Sequence, residues 1–133
     1  MIEIRVPISP GELIDKITIL EIKSERMSNP DKVSNVRREL QMLLDIWQGS
    51  GHADADIGQE RAALKSINEQ LWVIEDEIRE EERNQRFEAQ FIRLARAVYV
   101  TNDERAAVKR QINEKLGSAI MEEKSYAQYG KGS

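Results

Sequence analysis

The apolar residues of this chain change their period once, at Ser9. Before it, Ile2, Ile4, Val6 and Ile8 alternate with Glu3, Arg5 and Pro7; after it, apolar residues return every three or four positions almost to the end. Alternation is the pattern of a strand that buries one face, and a spacing of three or four is that of helices doing the same. The predicted fold is therefore mainly α: a bundle of about five helices preceded by one short N-terminal β-strand. Pro7 has no amide hydrogen, which confines the strand to an edge or an end. A lone strand leaves its backbone donors and acceptors unmatched. The expected partner is either the C-terminal segment Ser118 to Tyr126 or a second subunit, and the second option makes the chain a homo-oligomer, a dimer.

Ser9, Pro10 and Glu12 supply an N-cap, a first-turn proline and a capping-box glutamate, so a helix should run from there to about Met27. Its Leu13, Ile14, Ile17, Leu20 and Ile22 cover more than one stripe and predict a central position. Asn29, Pro30 and Asp31 start a second helix carrying Val33, Val36, Leu40, Leu43, Leu44 and Trp47. Gly49, Ser50 and Gly51 end it and open a loop over 49–58, the best candidate for a mobile one. The longest helix should span Ile57 to Arg83, with Leu64, Ile67, Leu71, Ile74 and Ile78 as its seam. At about 1.5 Å per residue it is longer than a bundle of this mass needs, so its end should project or pair with another subunit. After a break near Asn84 to Arg86, a fourth helix carries Phe87, Phe91, Leu94 and Val98. Thr101 with Glu104 three residues on then reads as the cap of a fifth, ended by Gly117. One domain over 1–133 is expected, with residues 1–8 as a strand arm and 127–133 as a frayed tail.

The chemistry open to such a chain is narrow. There is no cysteine, which removes disulfides, zinc–thiolate sites and thiol nucleophiles, and His52 is the only histidine available to a catalytic triad. A formal net charge of -4 argues against a nucleic-acid partner, because phosphate binding favours a basic excess. No apolar run reaches membrane-spanning length and no signal peptide is legible, so a cytoplasmic protein without a membrane partner is expected.

Two polar stripes stand out. Asn68, Trp72 and Glu75 share a face of the long helix, and Asn102, Arg105 and Lys109 share one on the last helix, with Asn113 a turn further on. Arg96 and Tyr99 precede the latter, and Lys16, Lys23 and Arg26 form a basic stripe on the first helix. If these faces converge, Lys16, Lys23, Trp72, Arg96, Tyr99, Asn102, Arg105 and Lys109 would line a cationic pocket for a phosphate- or carboxylate-bearing small molecule, with Glu75 as the candidate acid or base. The plainer interpretation is solvated faces and ion pairs between helices.

The acidic run Glu75, Asp76, Glu77, Glu80, Glu81 and Glu82 resembles the metal-binding helix of the all-helical nucleotide pyrophosphohydrolases only in its acidity. Asn84 and Gln85 follow where a third glutamate would be needed, so a solvated acidic face is expected. Asp54, Asp56 and Glu60 fail the EF-hand pattern, because Gln59 and Lys65 stand at its glycine and glutamate positions. No metal and no cofactor is expected.

Three stretches, VPISPGELIDKITILEIKSERM, LARAVYVTNDERAAVKRQIN and EEKSY, together resemble a bacterial family catalogued as domain of unknown function 6165, over nearly the whole chain. The resemblance implies a bacterial, cytoplasmic protein and carries no activity with it. Two functional readings follow from the residues. The first is a helical interaction or accessory protein that works as a homo-oligomer with an unidentified protein partner. The second is a small-anion binding protein or enzyme built on the cationic pocket.

Overall fold

Ser9 and Pro10 begin a helix in the computed structural model, which describes residues 2–125. The Ser9 hydroxyl accepts the Glu12 amide at 3.2 Å, and α1 runs over Pro10–Arg26. Its buried residues include Leu13, Ile14, Ile17, Leu20 and Ile22, spread around the helix as their spacing predicts. Consequently α1 packs against each of the other three helices. Isoleucines as fully enclosed as Ile14 and Ile17 each contribute roughly 2–3 kcal/mol of hydrophobic stabilisation.

The second helix, α2 (Pro30–Gln48), is capped by Asn29, whose side-chain oxygen accepts the Asp31 and Lys32 amides at 3.0 and 3.3 Å. It covers α1 from one side: Trp47 is its only buried residue, while Leu40, Leu43 and Leu44 pack half-buried on the core. The connection to α3 (Gly58–Arg83) packs in part onto the core. Ile57 is buried, Ala55 packs on the core, and the His52 ring stacks on Trp47 with centroids 6.3 Å apart.

A short turn through Gln85, at φ 57°, folds α4 (Ala89–Lys115) back along α3. Lys115 meets Glu60 at 2.6 Å at the base of this hairpin, and Phe87 and Phe91 meet edge to face at 5.3 Å near its tip. Beyond Asn68 no α3 residue is buried, and before Thr101 the only buried α4 residue is Leu94. The projecting end expected of the long helix is thus the tip of a two-helix hairpin.

Two expectations fail. The fourth and fifth helices are one, because Thr101 lies inside α4, buried and facing the bundle, rather than at a cap. A Thr-x-x-Glu spacing fits a helix interior as well as a start, and with no Gly or Pro nearby nothing interrupts the ladder. Nor is there a strand: among the described residues no segment is in a β-ladder, and residues 2–8 form an arm without regular structure. Residues 118–125 run without regular structure and do not pair with it, so the β pattern meets no second edge within the described chain. Tyr126 and the predicted tail, 127–133, lie outside the described residues. No described helix is long and apolar enough to cross a membrane.

Candidate functional site

A polar knot sits where α1, α3 and α4 cross. Asp15 and Thr18 of α1 are almost fully buried, as are Asn68 of α3 and Lys109 and Asn113 of α4. Buried polar groups on this scale must find partners in one another, and they do. The Asn68 amide donates to Asp15 Oδ1 at 2.9 Å and to Thr18 Oγ1 at 3.0 Å. Arg105 donates to both Asp15 oxygens, its Nε lying 2.9 Å from Oδ1. At the other end of the knot Asn113 Oδ1 accepts the Gly11 amide at 2.7 Å. Gly11 has to be glycine, since a Cβ there would run into the Lys109 carbonyl oxygen and lie 2.9 Å from Asn113 Oδ1. That close approach sets how tightly α1 beds on α4.

Lys109 gathers three acids. Its Nζ is 2.6 Å from Glu12, 3.2 Å from Glu122 and 3.9 Å from Asp15. Burial pushes the ammonium pKa down, but the hydrogen bond to Glu12, with help from Asp15 and Glu122, carries it above the ordinary lysine value. The hydrogen bonds to Asp15 likewise raise Arg105 against the opposing effect of burial. Glu12 is therefore an inter-helix ion-pair partner, and does not close the predicted capping box with its side chain.

Two hollows open beside the knot and share Asn102 and Arg105. One, of about 450 Å³, has Ile19, Ile22 and Trp72 as its apolar walls and Glu75 at its edge. The other, of about 350 Å³, is lined by Tyr99, Lys109, Glu122 and Lys124. Five of the predicted ligand residues, Trp72, Tyr99, Asn102, Arg105 and Lys109, thus lie around one junction, as does Glu75. Three do not. Arg96 lines a separate shallow hollow on α4 with Ile92 and Val100. Lys23 lies outside both hollows. Lys16 reaches the knot only through Glu12, one of whose oxygens is 3.8 Å from its Nζ.

The residue that sequence reasoning missed is Asp15. Its signal was available: it shares a helix face with Gly11, Thr18 and Ile22, so a carboxylate there had to be buried and paired. Asp15, Glu12 and Glu122 already occupy Arg105 and Lys109. Glu75 is itself paired to Arg79 at 3.2 Å, and along the acidic run Glu80 pairs with Arg83 and Glu81 with Arg86. The knot is suited to clamping three helices and the segment around Glu122 together.

On the opposite side of α1 lies a different kind of surface. In the arm Glu3 and Arg5 hold each other, Arg5 Nε being 2.9 Å from Glu3 Oε1, and they alternate along the chain with Ile4, Val6 and Ile8. Between the arm, with Glu3 and Arg5 as well as Ile4, Val6 and Ile8 in its wall, and Met42 and Ile46 of α2 runs an open channel of about 1120 Å³. Ile2, Ile4 and Val6 are 94%, 87% and 66% exposed, and Met42 and Ile46 are 45% and 52% exposed.

No curated protein and no solved structure matches the chain. The model of the family described as "Family of unknown function (DUF6165)" matches residues 4–130, and the chain belongs to that family.

Proposed function

We propose that the protein is a helical interaction module that works as a homo-oligomer, associating through its N-terminal arm and the apolar side of α2. The observation that carries this reading is the exposure of Ile2, Ile4 and Val6, which alternate with Glu3 and Arg5 along a segment whose backbone groups have no ladder partner among the described residues. Isolated surface isoleucines are ordinary. Alternating ones beside a further exposed apolar pair, Met42 and Ile46, form a contiguous patch of the kind that marks a binding surface. Extended segments of this sort bind by adding a strand to a second edge.

Light scattering on the full chain tests the proposal against a variant lacking residues 2–7, which keeps the Ser9 cap. The expected result is an oligomer that becomes a monomer on truncation. A full-length monomer at high micromolar concentration overturns it.

The second reading, a small-anion site at the junction of the two hollows, has in its favour the grouping of Trp72, Asn102, Arg105 and Lys109. Against it stand the carboxylates already bound to both cations, which an incoming anion would have to displace. Thermal stabilisation by inorganic phosphate or a dicarboxylate, lost in Arg105→Ala, would favour this second reading.

A further inference from the structure

The arm carries enough chemistry to say how it meets its partner. Resting on the reading above, we infer that it pairs antiparallel with the arm of a second copy of this chain, in the one register that sets Ile4 opposite Ile4 of the partner subunit.

The edge comes first. Along an extended strand the amides point alternately to either side, so Ile2, Ile4 and Val6 present one edge and Glu3, Arg5 and residue 7 the other. Residue 7 is proline and has no amide hydrogen. The even-numbered edge is therefore the complete one, and pairing through it leaves the missing donor facing away from the ladder.

Charge then selects the register. With Ile4 opposite its own copy, Glu3 stands opposite Arg5 of the partner subunit and Arg5 opposite Glu3 of the partner subunit. These fall at the non-hydrogen-bonded positions, where facing side chains come closest. Ile2 and Val6 face each other on the opposite side of the ribbon. A slip of two residues one way sets Glu3 against Glu3 of the partner subunit, and the other way sets Arg5 against Arg5 of the partner subunit; like charges directly opposite are destabilising. A slip of one residue puts isoleucines across from charges. In the single chain Glu3 and Arg5 hold each other on the same face, so pairing only exchanges their partners.

The result is an isologous two-fold ribbon with a charged face and an apolar face. The apolar face gathers Ile2, Ile4 and Val6 of both arms, with Ile4 and Val6 beside the channels above Met42 and Ile46, and converts the most exposed apolar side chains among the described residues into a shared core.

The register can be read by cross-linking, because the chain has no cysteine of its own. Residues on the two-fold axis of a hydrogen-bonded pair lie at a Cα separation of about 5.5 Å, within the range that a disulfide spans. Ile4→Cys, Glu3→Cys and Arg5→Cys variants of the full chain would be oxidised at low micromolar concentration and their cross-linked dimer followed with time. Ile4→Cys should cross-link several-fold faster than the other two, and a mixture of Ile2→Cys with Val6→Cys faster than either alone. A dimer by light scattering in which Glu3→Cys or Arg5→Cys is as fast as Ile4→Cys overturns this register and leaves the proposed function standing. A wild-type monomer overturns both.

Discussion

Asp15 on α1 takes the guanidinium of Arg105 on α4 with both carboxylate oxygens, while Asn68 on α3 donates to the same carboxylate. One acidic side chain thereby joins three helices at a point where hydrophobic contact alone would not fix their relative positions. Such a pair adds little net stability compared with a well-packed apolar replacement, but removing one half of it is costly.

Asp15→Asn should therefore destabilise the protein by about 3 kcal/mol in urea unfolding, the low end expected for a buried pair because Arg105 keeps some contact with water. Arg105→Met should cost less, since its loss leaves Asp15 near Lys109. In the double variant the two effects should fall clearly short of additive, as expected for residues sharing one network.

Gly11→Ala tests the close approach of α1 to α4. The new methyl group meets the Lys109 carbonyl oxygen and Asn113 Oδ1, neither of which can move without opening the Gly11–Asn113 hydrogen bond. An overpacked backbone contact of this kind costs about 2–3 kcal/mol, visible as a lower urea midpoint with the helical circular-dichroism signal retained. An unchanged midpoint would mean that the two helices are not in contact there.

Lys109 predicts a pH dependence with a definite sign. Its pKa is raised by Glu12, Asp15 and Glu122 acting against burial, with the fixed charge of Arg105 alongside. A lysine raised on folding contributes stability that is fully present below its unfolded value, near 10.5, and that is lost as pH rises through the folded one. Lys109→Met should thus be less stable than the wild type at pH 8, and the gap should narrow above pH ~10.5. Lys65 and Lys115, raised by Glu25 and Glu60, add to the alkaline loss in both proteins and so drop out of the comparison.

Concentration dependence of the melting temperature follows from association. The full chain should melt at higher temperature as its concentration rises, because only the folded oligomer gains from mass action. The variant lacking residues 2–7 should melt at one temperature throughout. Its helices should remain intact, since Ser9, which starts α1, is retained and the deleted residues are exposed.

N-cap chemistry gives the smallest test. Asn29→Ala removes the acceptor for the Asp31 and Lys32 amides and should cost about 1 kcal/mol. The loss should be larger than that of a comparable change at exposed Ser34, which lies inside α2.

The sequence by itself determined the parts that depend on neighbours along the chain. Ser9–Pro10 and Asn29–Pro30 start helices because a side-chain acceptor and a ring-fixed φ act within one turn, and Gly117, at φ 64°, falls where α4 ends. The spread of Leu13, Ile14, Ile17, Leu20 and Ile22 around α1 similarly announced its central place. Local signals failed where one pattern suits two environments: Thr101 with Glu104 reads equally as a cap or a helix interior, and Ile2 to Ile8 is strand-like without a strand to join among the described residues. Tertiary structure alone decided which stripes met, because a helix face carries no record of its neighbour. It brought Trp72, Tyr99, Asn102, Arg105 and Lys109 together and left Lys23 and Arg96 elsewhere. It also set Asp15, Glu12 and Glu122 against the two cations, so that residues patterned like an anion pocket became, in the folded chain, the bond between its helices.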